Sequence, residues 1–187
     1  MTRTRDLTPA YCGGDLRLAD GSTLNNLQRA FDGEAKASVR LNVFAQKADE
    51  EGYDSVAKLF RAIAESESIH ARNNLKLLRD IKDTETNLSD SFASEVKVAQ
   101  VGYGEYIARA ESDENLPAAT MFTWARDVEE VHAKLYEKAL EHLLEEEDPT
   151  YYICSVCGYV VDGGIPDKCP VCGNPSSVFN ETPERPV

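Results

Sequence analysis

Hydrophobic residues recur at three- and four-residue spacing along four segments between residues 22 and 148. This spacing places apolar side chains on one face of a helix, so the pattern predicts four amphipathic α-helices that bury that face. The apolar positions include Leu24, Leu27, Phe31, Leu41, Val56, Phe60, Ile63, Leu77, Leu88, Phe92, Tyr106, Phe122 and Leu143. The predicted fold class is therefore an all-α four-helix bundle.

Capping and helix-breaking residues mark the ends of the first two predicted helices. We expect helix A to begin with Ser22 or Thr23 as its N-cap and to stop at Gly52. Helix B follows almost at once, near Asp54, and runs to about residues 78–81. The short connection makes helices A and B antiparallel neighbours.

The second pair of helices is marked in the same way. Helix C is expected to begin within residues 84–87, and helix D near Asn115, with Pro117 in its first turn. Helix D should continue through the acidic run at 145–147 and end before Pro149. Acidic side chains are unfavourable at a helix C-terminus, so we expect fraying there and a hinge between domains.

Four glutamates and two histidines interrupt the apolar faces. They are Glu34 on helix A, Glu67 and His70 on helix B, Glu95 on helix C, and Glu129 and His132 on helix D. Residues three apart share a helix face, and a carboxylate on a buried face must be paired, protonated or bound to metal. This set is typical of di-iron and di-manganese sites in ferritin-like bundles. The alternative is an acidic bundle whose core contains hydrogen-bonded Glu–His pairs without metal.

An internal repeat supports the metal interpretation. Glu34 lies 33 residues before Glu67, and Glu95 lies 34 residues before Glu129. The first hairpin repeats in the second at an offset of 61 residues, at which Glu34 matches Glu95 and Phe31 matches Phe92. Two helix hairpins therefore look duplicated, each supplying half of one metal site.

Composition narrows the classes of partner. The chain has 187 residues, with 20 Lys and Arg against 33 Asp and Glu, and a net charge of −13. No basic patch indicates a nucleic acid or an anionic membrane, and no apolar run is long enough to span a bilayer. The N-terminus lacks the apolar stretch of a secretory signal. We expect a cytoplasmic protein, in which the isolated Cys12 is a free thiol or has a redox or intersubunit role.

The segment after residue 150 contains two C-x-x-C motifs. Cys154, Cys157, Cys169 and Cys172 stand in the spacing of a tetrahedral four-thiolate site, and a glycine follows each motif. The spacing alone admits iron or zinc. A segment this short cannot build a self-sufficient core, so we expect the metal to hold the fold.

The whole pattern resembles rubrerythrin across about residues 22–180. The resemblance is carried by Gly33-Glu34, the two Glu-x-x-His pairs, Glu95, and the motifs Cys154-x-x-Cys157-Gly-Tyr and Cys169-Pro-x-Cys172-Gly. It implies a ferritin-like di-iron bundle at 22–148 and a rubredoxin-like iron domain at 149–187, and the residues before them, 1–21, are expected to form an irregular arm. It also implies reduction of hydrogen peroxide, with electrons from a reductase or rubredoxin entering through the rubredoxin-like iron.

The resemblance suggests a role for each ligand. Glu34 and Glu129 are assigned as terminal ligands, one for each iron, and His70 and His132 each cap one iron. The two remaining carboxylates, Glu67 and Glu95, are expected to bridge the irons. Tyr103 corresponds to a tyrosine near the site, which donates a hydrogen bond or an electron, or only packs in the core.

Two departures from the family bear on the choice of oxidant. The family usually carries a second glutamate three residues after the helix C glutamate, where this chain has Val98. A tyrosine seven residues after the helix A glutamate is replaced by Leu41. The alternative function is therefore a ferroxidase that handles iron with dioxygen. A third hypothesis places zinc in both sites and makes the cysteine domain a binding module.

The connection between helices B and C predicts a homodimer that exchanges its helix pairs. In a ferritin-like bundle these two helices run parallel, so the chain must return along the bundle between them. With helix B ending at Ile81 and helix C starting at Asn87, the return requires about 28 Å, but six residues reach about 22 Å at most. We expect helices A and B of one chain to pair with C and D of another. An early end to helix B, near Leu78, is the alternative that keeps one chain in one bundle.

Overall fold

The computed structural model describes residues 21–78, 81–143 and 149–182. The chain divides into two compact units, residues 1–81 and 82–187, and each is described by itself. The N-terminal arm with Cys12 and the acidic run at 145–147 lie outside the described residues. The expected domain boundaries at 21/22 and 148/149 therefore stay predictions.

The first unit is a helical hairpin formed by α1 (Gly21–Glu50) and α2 (Asp54–Leu78). The turn is a Schellman motif, in which the Tyr53 amide donates to Ala48 O at 2.8 Å and the Gly52 amide to Asp49 O at 3.0 Å. Gly52 has φ +79°, a left-handed conformation that glycine adopts without strain. The predicted stop at Gly52 is confirmed.

Small residues hold α1 and α2 close together. Ala57, Ala64 and Ala71 recur every seven residues along α2 and are all buried. Ser38 Oγ donates to Ala64 O at 2.8 Å, which ties the two helices at mid-length. Larger apolar residues remain exposed on the hairpin, among them Val39, Val43, Leu59 and Ile63. The hairpin therefore has apolar surface that its own two helices do not cover.

The second unit begins with α3 (Thr84–Lys97), a π-helical turn (Val98–Gly102) and α4 (Tyr103–Ser112), and continues with α5 (Leu116–Glu141). Asp83 Oδ1 caps α3 by accepting from the Thr86 amide at 2.8 Å, and Asn115 Oδ1 caps α5 by accepting from the Ala118 amide at 3.2 Å. The predicted starts of both helices are confirmed. The sequence pattern did not single out Asp83 as the cap or the π-helical turn.

Two expected helix ends were wrong. Ser22 and Thr23 lie inside α1, which is already helical at Gly21, because hydroxyl residues are tolerated in a first helical turn. Helix D does not continue to Pro149, because α5 ends at Glu141 with His142 at its C-cap. A helix that continued through 145–147 would carry three acidic side chains at its C-terminal end, which the helix dipole disfavours.

The small C-terminal domain contains β1 (Tyr151–Cys154), β2 (Val160–Asp162) and β3 (Phe179–Glu181) in an antiparallel sheet of order β2-β1-β3. Its buried core consists of Cys154, Cys169 and Phe179. The metal-binding thiols thus occupy the place of a hydrophobic core, as expected for so short a segment. α3, the π-helical turn and α4 follow one another without a break and count as one helix. The described residues therefore contain four helices followed by this small domain, which confirms the predicted fold class.

Candidate metal centres

The first unit brings together Glu34 from α1 with Glu67 and His70 from α2. Ligand atoms of these three side chains all lie within 4.8 Å of one another. His70 Nδ1 is 3.2 Å from Glu67 Oε2, as the i, i+3 spacing predicted. The Glu67 side chain is 23% exposed and that of His70 is 54% exposed, so the cluster faces outward from the hairpin.

The two glutamates of this cluster share a hydrogen bond. It raises the pKa of Glu34, with a smaller contribution from partial burial and from the charge of Glu67. The same bond, followed by the one to His70, lowers the pKa of Glu67. Two carboxyl groups this close repel each other when both are ionised, so the site favours a bound positive charge. A metal ion is the natural source of that charge.

The second unit brings together Glu95 from α3 with Glu129 and His132 from α5. Their ligand atoms also lie within 4.8 Å of one another, and His132 Nδ1 is 3.0 Å from Glu129 Oε2. Burial, followed by a hydrogen bond to Glu129, raises the pKa of Glu95 to about 7. The buried His132 Nε2 has no hydrogen-bond partner among the described residues.

The donor sets of both clusters fit metal ions of the carboxylate–imidazole class. Two ligands at about 2.1 Å from one ion and at right angles to each other stand about 3.0 Å apart. The Glu–His distances of 3.0 and 3.2 Å match this spacing. Each unit by itself supplies three of the six ligands predicted from the sequence.

Tyr103 lies beside the second cluster because of the π-helical turn. It follows Glu95 by eight residues, which in a straight α-helix would turn it roughly 80° away from the glutamate face. A π-helical turn accommodates one extra residue and brings that angle to roughly 20°. Burial, and then the charge of Glu129, raises the pKa of Tyr103, and its ring packs 6.3 Å from that of Phe122. The eight-residue spacing was the signal in the sequence that could have revealed this turn.

The four cysteines converge as their spacing predicted. Cys154 Sγ lies 3.7 Å from Cys172 Sγ, and Cys157 Sγ lies 3.5 Å from Cys169 Sγ. A tetrahedron of sulfurs at about 2.3 Å from a central ion has edges of about 3.8 Å. Gly158 and Gly173 have φ of +84° and +74°, and each amide donates to the carbonyl of the first cysteine of its motif at 2.9 Å. The two motifs therefore adopt matching turns around one metal-sized space.

The thiols of this site differ in acidity. Burial raises the pKa of the Cys157 and Cys169 thiols. Burial also opposes ionisation of Cys172, but hydrogen bonds from Asn174, Cys169 and Cys157 together outweigh it and lower the pKa of that thiol to about 7. The Asn174 amide donates to Cys172 Sγ at 3.2 Å. Nothing in the cysteine spacing marked Asn174, because its contact depends on the path of the chain after Gly173.

Val98, which stands where a second glutamate was expected from the resemblance, begins the π-helical turn and is 37% exposed. Leu41 lies on α1, seven residues beyond Glu34. Neither residue offers a ligand atom. The described part of the chain therefore holds six carboxylate and imidazole ligands in its two clusters.

Comparison with known proteins agrees with this architecture. A family model described as rubrerythrin matches residues 25–89, and one described as the rubredoxin-like domain of rubrerythrin matches residues 152–180. Nigerythrin from Nitratidesulfovibrio vulgaris is 31% identical over 88% of this chain and 89% of its own length. Rubrerythrin from the same organism is 31% identical over 87% of this chain and 95% of its own length.

A solved structure of nigerythrin in a partially reduced state is 29% identical in sequence. It covers 97% of this chain and 100% of the nigerythrin chain, with a TM-score of 0.54. These matches define the class as ferritin-like helical proteins that carry a rubredoxin-like domain. The chain belongs to the rubrerythrin family.

Membership in this family gives the clusters their chemical identity. The two carboxylate–histidine clusters are candidates for a di-iron site, and the four cysteines form a rubredoxin-like iron site. Within residues 21–78, 81–143 and 149–182, no helix is long and apolar enough to cross a membrane.

Proposed function

We propose that the protein is a non-haem iron peroxidase that reduces hydrogen peroxide to water at a di-iron carboxylate centre. The observation that carries the proposal is the combination, in one chain, of two three-ligand clusters and a four-thiolate site. Peroxide reduction consumes two electrons and two protons for every two waters formed. The four-thiolate iron is a one-electron carrier, which suits it to supply those electrons one at a time.

Each ligand is assigned a position in this proposal. Glu34 and Glu129 act as terminal ligands, and His70 and His132 cap one iron each. With iron bound, Glu67 and Glu95 would supply the two remaining carboxylates and would be shared between the two ions. When bound, iron supplies the electrons and the Lewis acidity for cleavage of the peroxide bond.

Tyr103 is proposed to act beside the iron ligands. The raised pKa of its phenol keeps the hydroxyl protonated at neutral pH, so it can donate a hydrogen bond. Phe122 and Tyr106 pack against its ring at 6.3 and 5.9 Å and fix its orientation. Tyr103 would therefore donate a hydrogen bond to one of the iron ligands.

The complete six-ligand site is proposed to form between two chains. α2 continues for about 12 Å beyond His70 to Leu78, and α3 begins about 16 Å before Glu95 at Thr84. A return along one bundle would thus need about 28 Å, whereas the six steps from Leu78 to Thr84 reach about 22 Å at most. Within the described residues α2 ends at Leu78, which is earlier than Ile81, but α3 begins at Thr84, which is earlier than Asn87. The connection is therefore still about 6 Å too short for a return along one bundle.

The exchanged homodimer also accounts for the surface of the hairpin. Ferritin-like bundles with all four helices in one chain have a long crossover, which a five-residue link cannot provide. The exposed apolar residues of α1 and α2 would be covered by α3, α4 and α5 of the second chain. Each bundle would then receive three ligands from each chain.

Iron handling with dioxygen is the second candidate function. It is favoured by Val98 and Leu41, since both positions lack the side chains that the sequence resemblance associates with the peroxidase. The test is anaerobic loading with ferrous iron, followed by a stoichiometric amount of peroxide or of dioxygen. Oxidation of the bundle iron that is faster with peroxide supports the peroxidase, and preference for dioxygen contradicts it.

A second experiment tests the electron relay. Cys157→Ser removes one thiolate, so we expect loss of donor-driven turnover but retention of a single oxidation of pre-reduced bundle iron. Undiminished steady-state turnover would contradict the relay. Visible iron–thiolate absorption of the parent protein separates iron from zinc in the four-cysteine site.

The proposed partners and compartment follow from the same chemistry. A protein of the reductase or rubredoxin class would donate electrons to the four-thiolate site. The four described cysteines are all free of disulfides, in keeping with a reducing cytoplasm.

A further inference from the structure

The second unit contains a contact between α5 and the rubredoxin-like domain. Lys138 Nζ on α5 lies 2.6 Å from Asp162 Oδ2 at the end of β2. The Asp162 side chain is only 22% exposed and that of Lys138 is 49% exposed. Lys138 and Asp162 stand 24 positions apart along the chain, and their contact joins α5 to the small domain.

A cavity of about 430 Å³ lies between the same two modules. Its bundle side is formed by Leu135, Tyr136 and Ala139 of α5, and its other side by Tyr151 and Val160 of the sheet. His132 also lines this space. The rubredoxin-like domain therefore meets α5 next to a ligand of the second cluster. We call the Lys138–Asp162 ion pair and the residues Leu135, Tyr136, Ala139, Tyr151 and Val160 the seat.

Both sides of the seat connect directly to a candidate iron site. Tyr151 begins β1 and Cys154 ends it, and Tyr151 pairs with Asp162 of β2. On α5, Tyr136 and Ala139 follow His132 by four and seven residues, so they share its helix face. One short strand, the cavity and one turn of helix lie between the thiolate site and His132.

We propose that the seat holds the rubredoxin-like domain on α5 so that electrons enter the bundle at its His132 end. The functional part of this inference rests on the proposed peroxidase relay. With both sites loaded, each transfer would take one electron from the iron held by the four cysteines and give it to the iron held by the bundle ligands. Two transfers complete the reduction of one peroxide, and an external one-electron donor protein restores the thiolate iron each time. Lys138 and Asp162 are positioning residues, because neither touches the iron ligands.

An exposed ion pair can be energetically silent, so the test exchanges its charges. Lys138→Glu and Asp162→Lys each place like charges together, and the double variant restores attraction in reverse. Lys134→Glu is the matched control, since Lys134 is an exposed lysine on the same helix that does not line the seat. Low ionic strength keeps the interaction from being screened.

The first readout does not depend on activity. In the zinc-loaded full chain, ¹⁵N relaxation reports whether residues 151–181 tumble together with α5. We expect common tumbling in the parent, the control and the double variant, and faster tumbling of the small domain in both single variants. Independent tumbling in the parent would show that the small domain is not held on α5. Single variants that tumble like the parent would show that the ion pair does not hold it.

The second readout is donor-driven turnover of the iron-loaded protein. Loss of the pair should lower turnover roughly two- to tenfold in the single variants, with recovery in the double variant. Oxidation of pre-reduced bundle iron by peroxide should be unchanged in all of them. If the single variants release the small domain from α5 but keep the parent's turnover, electrons do not need to enter the bundle at this face of α5. Absence of peroxide turnover in the parent would instead contradict the proposed function. The tumbling measurement would still show whether the ion pair holds the small domain on α5.

Discussion

If two chains exchange their helix pairs, mixing two variants that each lack iron ligands should restore a predictable fraction of complete sites. The first variant carries Glu34→Ala and Glu67→Ala, which remove both carboxylates of the cluster on α1 and α2. The second carries Glu95→Ala and Glu129→Ala, which remove both carboxylates of the cluster in the second unit. Neither variant alone can form a complete six-ligand site in any arrangement.

The two arrangements differ in the mixed dimer. With exchange, one bundle combines the two altered halves and the other combines the two intact halves. Without exchange, every bundle contains one altered half. Random pairing of equal amounts yields about one half mixed dimers, so about one quarter of all bundle sites become complete if the helices exchange. The corresponding fraction without exchange is zero.

Iron counting after anaerobic ferrous loading measures this fraction. The two variants are co-expressed with different affinity tags, and the thiolate iron is subtracted through its visible absorption. After purification through both tags, about half of the bundle iron of the parent protein is expected. Pairing Glu34→Ala with Glu67→Ala is the control, because both changes lie in the same hairpin and no intact site can form. A doubly tagged dimer without bundle iron would refute the exchange.

Three further predictions concern single residues. Glu67→Ala and His132→Ala should each weaken bundle iron binding at least roughly tenfold while the thiolate iron remains, and full iron retention in both would contradict the ligand assignment. Val98→Glu should change the ligands of one iron between the oxidised and reduced states, because it adds a carboxylate one turn after a proposed ligand; identical ligands in crystal structures of both states would rule this out. Asn174→Ala should lower the reduction potential of the thiolate iron by roughly 20–60 mV, because the reduced site loses a hydrogen bond to Cys172 Sγ; spectroelectrochemistry measures it, and an unchanged potential would show that the bond does not tune the site.

Local periodicity carried much of the information in this chain. Glu67 and His70 were predicted to meet because residues three apart share a helix face, and their side chains do meet. Each C-x-x-C motif folds as a tight turn whose following glycine takes a left-handed conformation, as the motif predicted. These features depend on a few consecutive residues, so the sequence by itself was sufficient to identify them.

Contacts between distant segments were decided only by the tertiary structure. The π-helical turn that aligns Tyr103 with Glu95 contains no proline, and its one glycine, Gly102, is equally compatible with an unbroken α-helix. The hydrogen bond from Asn174 to Cys172 depends on the path of the loop that follows Gly173. The Lys138–Asp162 ion pair depends on where the small domain packs against α5. Periodicity reports which face of an element is apolar, but the partner of that face is chosen by packing and by the reach of the connecting chain.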